Sequence, residues 1–317
     1  MKLKIISFVI LLAFVSFYCG SNKTDSKKIQ ILVSPKGLVH SFWVTVKAGA
    51  ETAAKESNVE VIWKGPSQET DIAGQIAIIE DYINKNIDAI VIAACDAKAL
   101  IPVLQKAVDK KIPVITIDSG IDSDLALSFI ATDNIEAAKK GAQKLAELIN
   151  NEGDVALIPF VPGAATSTMR EQGFKEGISK FPGIKLVAVQ YSQSEVATGM
   201  AVTEDILTSQ PNLKGIFAAN EAGAIGAAQA LKSKNKVGKV KLVGFDAAEN
   251  EINELKAGVI DALVVQDPYK MGYLGVKYAV DALNGKQLPK RVDTGVYIIT
   301  RENLNSPEIQ KLLSYGK

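Results

Sequence analysis

Two hydrophobic patterns alternate along the chain from residue 29 onward. Ile29–Val33, Val59–Trp63, Ala89–Ala94 and Val114–Ile117 are short, β-branched and almost free of polar positions. Between them lie Phe42–Glu56, Ile72–Lys85 closed by Asn86, and Leu100–Lys111, where apolar residues recur at helical spacing. Strands apolar on both faces predict a parallel sheet covered by helices on each side, since a half-solvated antiparallel sheet would alternate apolar and polar residues.

The pattern is written twice, with a period of about 125 residues. Val155–Phe160 corresponds to the first strand, Leu186–Gln190 to Val59–Trp63, and Gly215–Ala219 to Ala89–Ala94. Val240–Phe245 followed by Asp246 corresponds to Val114–Ile117 followed by Asp118, and Gly173-Phe174 falls where Gly49-Ala50 falls in the first helix. Two copies are too few for a solenoid. They predict an α/β protein of two similar doubly wound parallel-sheet lobes.

The first residues follow another pattern. Lys2 and Lys4 precede an apolar run from Ile5 to Tyr18, too short for a mature membrane span and suited to a secretory signal. Cys19 ends that run and looks like the lipid-attachment residue of a bacterial lipoprotein, although Tyr18 is bulkier than the small residue usual there. The alternative is a plain cleaved signal. The expectation is a signal over residues 1–19, a polar tether over 20–28, and an exported, membrane-anchored protein.

Composition narrows the function. The net charge is +1, which gives no field for nucleic acid and suits a neutral ligand. One His and two Cys make a dedicated metal site unexpected. Dinucleotide and P-loop glycine patterns are missing, as is a nucleophile elbow, so neither a cofactor nor catalytic residues are expected. Cys95, at the end of an apolar run, reads as a small buried residue.

Ligands of open parallel sheets sit beyond the carboxyl ends of the strands. Asp118 and Asp246 occupy equivalent strand ends, and two carboxylates facing one cleft would be satisfied by the hydroxyls of a polyol. Each could instead cap a helix. Lys36 and His40 follow the first strand, and Phe42 and Trp43 open the next helix, where an aromatic face can stack on a sugar ring. Core packing is the plainer role for the rings, and a solvated loop for His40. Arg170, near the start of the helix after Val155–Phe160, can fork two hydrogen bonds onto a ligand or form a surface ion pair.

These segments, in order, resemble the periplasmic sugar-binding proteins of the ribose-binding type, whose fold is shared with the core of LacI-type repressors. The resemblance spans about Ile29 to Thr300. It rests on Phe42–Ala50, Ile112–Asp118, Ala131–Asn134, Phe217–Glu221, Val243–Asp246 and Val264–Pro268. It implies a hinged, non-enzymatic receptor of an ABC transporter that takes sugar contacts from Phe42, Trp43, Asp118, Arg170, Asn220, Asp246 and Gln266. It also implies a monomer that hands its ligand to an inner-membrane permease. Three crossings, near Thr132–Asp133, Gln266–Asp267 and Asp293–Gly295, would divide the chain into lobes of 29–131 plus 267–294 and 132–266 plus 295–317. Ser119 and Ala93 depart from the ribose pattern, where an Arg and an Asn stand, and that pattern also has a stacking Phe near Ser194 that is missing here. Pro35-Lys36, Gly65-Pro66 and Asp118-Ser119 are similar to the autoinducer-2 receptor branch, in which the Lys and Asp contact ligand. A signal receptor coupled to a membrane kinase or chemoreceptor is the alternative function.

Overall fold

The computed structural model describes residues 28–315; the expected signal segment, Cys19 and the expected tether up to residue 27 lie outside the described residues. The first sheet has the order β11-β5-β4-β3-β1-β2. Its strands are β1 (Gln30–Ser34), β2 (Glu60–Trp63), β3 (Ala89–Ile92), β4 (Val114–Ile117), β5 (Ser128–Ala131) and β11 (Arg291–Asp293), all paired in parallel. The second sheet repeats the plan as β12-β10-β9-β8-β6-β7. It uses β6 (Glu152–Ile158), β7 (Gly183–Val189), β8 (Leu213–Ala218), β9 (Lys241–Phe245), β10 (Ala262–Val265) and β12 (Tyr297–Ile299), and only β12 runs antiparallel to its neighbour.

Both faces of each sheet are buried, as the unbroken apolar strands require. Ile31, Val33, Val91 and Ile115 pack under α1 (Ser41–Ser57) and α9 (Pro268–Leu283), while Leu32, Ile90, Ile92 and Val114 pack under α2 (Ile72–Asn84) and α3 (Ile101–Asp109). In the second sheet, α4 (Asn134–Leu148) and α5 (Ala165–Ile178) cover one face; α6 (Val196–Ser209), α7 (Glu221–Ser233), α8 (Glu249–Lys256) and α10 (Pro307–Ser314) cover the other.

The helix that follows each chain crossing is therefore exchanged: α4 follows first-sheet strand β5 yet packs on the second sheet, and α9 follows second-sheet strand β10 yet packs on the first. Each exchange is locked by a close helix pair. A Cβ at Gly49 would stand 2.0 Å from the Tyr269 carbonyl oxygen, and one at Gly173 would stand 2.3 Å from that of Ile135. These are the two glycines that the internal repeat aligns.

Element bounds shift modestly from the apolar runs. β6 begins at Glu152 rather than Val155 because its backbone pairs with β7 through Gly153 and Asp154, and pairing needs no apolar side chain. Helix α1 ends at Asn58 and the turn after α2 at Asn86, both in left-handed backbone that Asn tolerates.

Candidate functional site

The carboxyl ends of both sheets meet across one pocket. It is lined by Lys36, His40, Phe42, Trp43, Glu69, Asp118, Phe160, Arg170, Asn220, Glu221, Asp246 and Gln266. All nine residues singled out as candidate ligand contacts lie on this one wall. Glu69, Phe160 and Glu221 complete it.

Asp118 and Asp246 hold equivalent positions, each one residue past its strand and each in left-handed backbone, with φ of 53° and 87°. That geometry turns the chain away from the sheet and projects the carboxylates into the cleft. Few side chains accept such φ values, and Asp is one of them. Neither carboxylate caps the helix that follows it. Asp246 Oδ1 accepts from Gln266 Nε2 at 2.7 Å and Oδ2 from the Glu221 N–H at 3.3 Å. Burial raises its pKa to about 6, against the pull of Arg170 and Gln266.

The two carboxylates do not face each other unscreened, as the sequence suggested; cations stand beside both. Lys36 Nζ lies 3.1 Å from Asp118 Oδ2 and 4.0 Å from Glu69 Oε2. Burial opposes the Lys36 charge, yet Asp118 and Glu69 hold its pKa above the ordinary lysine value. Arg170 is buried on α5 rather than in a surface ion pair. Its Nε donates to Asn134 Oδ1 and one Nη to the Ala219 carbonyl, both at 2.8 Å, and its guanidinium sits 3.7 Å from the Phe245 ring centre.

Of the aromatic pair, Trp43 is the packed member. It is buried, meets Phe42 edge-on at 4.8 Å and donates Nε1–H to Glu69 Oε1 at 2.9 Å. Phe42 remains half-buried at the pocket wall. Asn220 uses Oδ1 to cap α7 at the Gly223 N–H and donates Nδ2–H to Ser194 Oγ at 2.8 Å. Gln266 Oε1 is buried and accepts no hydrogen bond from the protein. Its free lone pairs therefore suit a donor supplied by a ligand.

His40 is bonded rather than solvated. Its Nε2 lies 3.1 Å from the Ser194 carbonyl oxygen and its Nδ1 3.6 Å from Glu69 Oε1. Burial works against its charge, but the hydrogen bond and charge of Glu69, with Glu221 and Asp246 beyond, raise its pKa to about 9. An imidazolium can donate through both nitrogens to these partners. Glu69 is held well below the usual carboxylate range: burial opposes its charge, but Lys36, His40 and Trp43 outweigh that cost.

Several of these bonds join the two sheets directly. Lys36 donates to Thr166 Oγ1 at 3.1 Å, Ser119 Oγ lies 2.9 Å from the same hydroxyl, and Ser194 donates to Glu69 Oε2 at 3.0 Å. Gln193 and Ser194 are both left-handed, with φ of 54° and 59°, and this kink carries Ser194 across to the first lobe. Ser194 thus forms a polar bridge between the two lobes. Cys95 is buried with its Sγ 3.5 Å from the Lys36 carbonyl, and burial pushes the thiol up to about 12, so it is inert.

Glu69 was not legible as a site residue. It lies in an unremarkable polar loop, and its only sequence signal is that this loop follows a strand of the apolar kind. Glu221 was visible only as the neighbour of Asn220.

Comparisons with known proteins agree with this geometry. Residues 31–287 match the periplasmic binding protein domain family. The D-ribose/D-allose-binding protein of Pseudomonas aeruginosa is 31% identical over 314 residues, covering 96% of this chain and 98% of that protein. The D-allose-binding periplasmic protein of Escherichia coli is 35% identical over 264 residues, 80% of this chain and 85% of that one. Among solved structures, a carbohydrate transporter solute binding protein from Agrobacterium radiobacter, in complex with D-arabinose, superposes with a TM-score of 0.88. It is 38% identical and covers 91% of this chain and 100% of that one.

Proposed function

The chain belongs to the periplasmic binding protein family, and we propose that it is an exported, non-catalytic receptor that closes its lobes around one neutral monosaccharide or polyol. The observation that carries this reading is the charge balance of a small shared pocket. Three cations (Lys36, His40 and Arg170) face four acidic side chains (Glu69, Asp118, Glu221 and Asp246), and most of these charges are already paired within the protein. Such a wall demands neither an anion nor a cation from its guest. It offers adjacent donors and acceptors, and those complement a ring of hydroxyls. Phe42 supplies an apolar face beside them.

The lobes in this reading are residues 29–131 plus 267–294 and residues 132–266 plus 295–317. Contacts from both stabilise the closed form, which shifts an open–closed equilibrium. The closed receptor, a monomer tethered through lipid on Cys19, then presents the ligand to an ABC permease.

The test is a thermal-shift and calorimetric panel of D-ribose, D-allose, D-arabinose, D-fucose and polyols, each at high excess. A ligand at a hundred times its Kd stabilises the fold by about 2.7 kcal/mol. At least one sugar is expected to do so, and Asp246→Asn, which keeps a residue tolerant of left-handed backbone, should weaken that sugar about tenfold or more. A panel in which no sugar or polyol binds would refute the proposal. The Lys36–Asp118 pair matches the signal-receptor branch, so autoinducer-2 belongs in the panel; binding of that molecule alone would establish the second reading.

A further inference from the structure

Helix α1 begins without a cap of its own. His40 occupies the N-cap position in extended backbone and makes no side-chain bond to the first turn, and the first turn contains no acidic residue. The exposed N–H groups of such a terminus need an acceptor, and the helix dipole favours an anion there. Both needs are met from the other lobe. Glu221, the first residue of α7, accepts the Ser41 N–H at Oε1 and the Phe42 N–H at Oε2, each at 3.0 Å. Its own N–H donates to Asp246 Oδ2. Asp246, the start of α7 and the start of α1 thus form one chain of hydrogen bonds across the cleft.

We infer that Glu221 is a cap supplied in trans, made when the lobes close and broken when they open, which sets how readily the receptor closes on any ligand. This rests on the hinge-closing reading above. Both carboxylate oxygens are used by backbone amides, so Glu221 acts on the ligand through the position of α1, and with it Phe42 and Trp43, rather than by selecting among sugars. It is a positioning residue. In the open form Ser41 and Phe42 would give their N–H groups to water.

The test uses the full-length receptor and its Glu221→Gln variant, which keeps the size of the side chain and removes the charge. Amide hydrogen exchange at Ser41 and Phe42 is read first, without and with saturating sugar. The wild type should show protection that rises on binding, and the variant should lose most of it. Spin-label distances between the lobes, in ligand-free protein, should shift toward the open form in the variant.

Calorimetry then compares every sugar that binds the wild type. Affinities should fall by one common factor, about two- to thirty-fold, the size of a lost helix cap. Unchanged exchange at Ser41 and Phe42, or a loss confined to one sugar, would overturn the proposal. The ligand-free exchange and interlobe distance judge Glu221 even if the sugar reading fails. If the Gln variant folds poorly, Glu221→Asp, whose shorter side chain cannot span both amides, is read in the same way.

Discussion

His40 shows how far one residue's chemistry depends on a partner remote in sequence. Its ring pairs with Glu69 and touches Ser194 of the opposite lobe, and the closed form raises its pKa to about 9. A histidine in an open, solvated loop titrates near 6.5. A raised pKa means that closure takes up a proton, so the His40 contribution is complete below about 6.5 and is lost as pH rises through 9. Asp246 carries the opposite consequence for ligand. With a pKa raised to about 6, it becomes a full acceptor only above that value, while the neutral acid favours the ligand-free closed form as pH falls toward the ordinary carboxyl range. Sugar affinity is therefore expected to weaken between 6.5 and 9, while on the acid side of 6 the loss of the Asp246 acceptor works against the easier closure. In calorimetry across that range, His40→Gln should flatten the alkaline limb and leave the acid side unchanged. An alkaline limb that survives the substitution would assign it to another group.

The same contrast explains what the sequence could disclose about the site. Asp118 and Asp246 were legible because they follow recognisable strands in register with each other. Arg170 was legible as a functional candidate but not as a buried one, since its Asn134, Ala219 and Phe245 partners come from three other segments. Glu69 and Ser194 were not, because their partners lie in other segments and the bond that joins them spans 125 positions of chain. No local pattern encodes such a bond.

Strands and helices were far more transparent. A parallel strand buried on both faces must be apolar throughout, and this is readable without knowing its neighbours. The repeat also aligned Gly49 with Gly173, and both prove to be points where one helix backbone touches another. In α1 the partner is α9, in α5 it is α4. A methyl group at Gly49 would collide with main-chain atoms of Tyr269 and Tyr273 that cannot rotate away. Gly49→Ala should thus cost roughly 1–3 kcal/mol through overpacking, despite the better helix propensity of Ala. A thermal melt that is unchanged or raised would show that α9 can retreat freely.

Across the whole molecule, the exchanged helices matter as much as the sheets. Each lobe borrows the helix that follows the other lobe's strand, so neither lobe is a contiguous stretch of chain. The crossings are tied by short bonds: Thr132 Oγ1 to the Gly295 carbonyl at 3.1 Å, Arg291 Nη2 to the Thr132 carbonyl at 3.1 Å, and the Asp133 N–H to Asp293 Oδ1 at 3.2 Å. Gly295, with φ of 90° and open space around it, turns the last crossing without steric cost.

That last crossing has a second consequence. The run from Arg291 to Ile299 leaves β11 on the rim of one sheet and β12 on the rim of the other, so a single ribbon hides two rows of backbone hydrogen-bonding groups that would otherwise invite strands from neighbouring molecules. A chain ending at Lys290 would uncover β5 and β10 together. Light scattering of that truncated form should reveal more self-association than the intact chain shows, and a truncated form no more associated than the intact chain would show that this ribbon protects nothing.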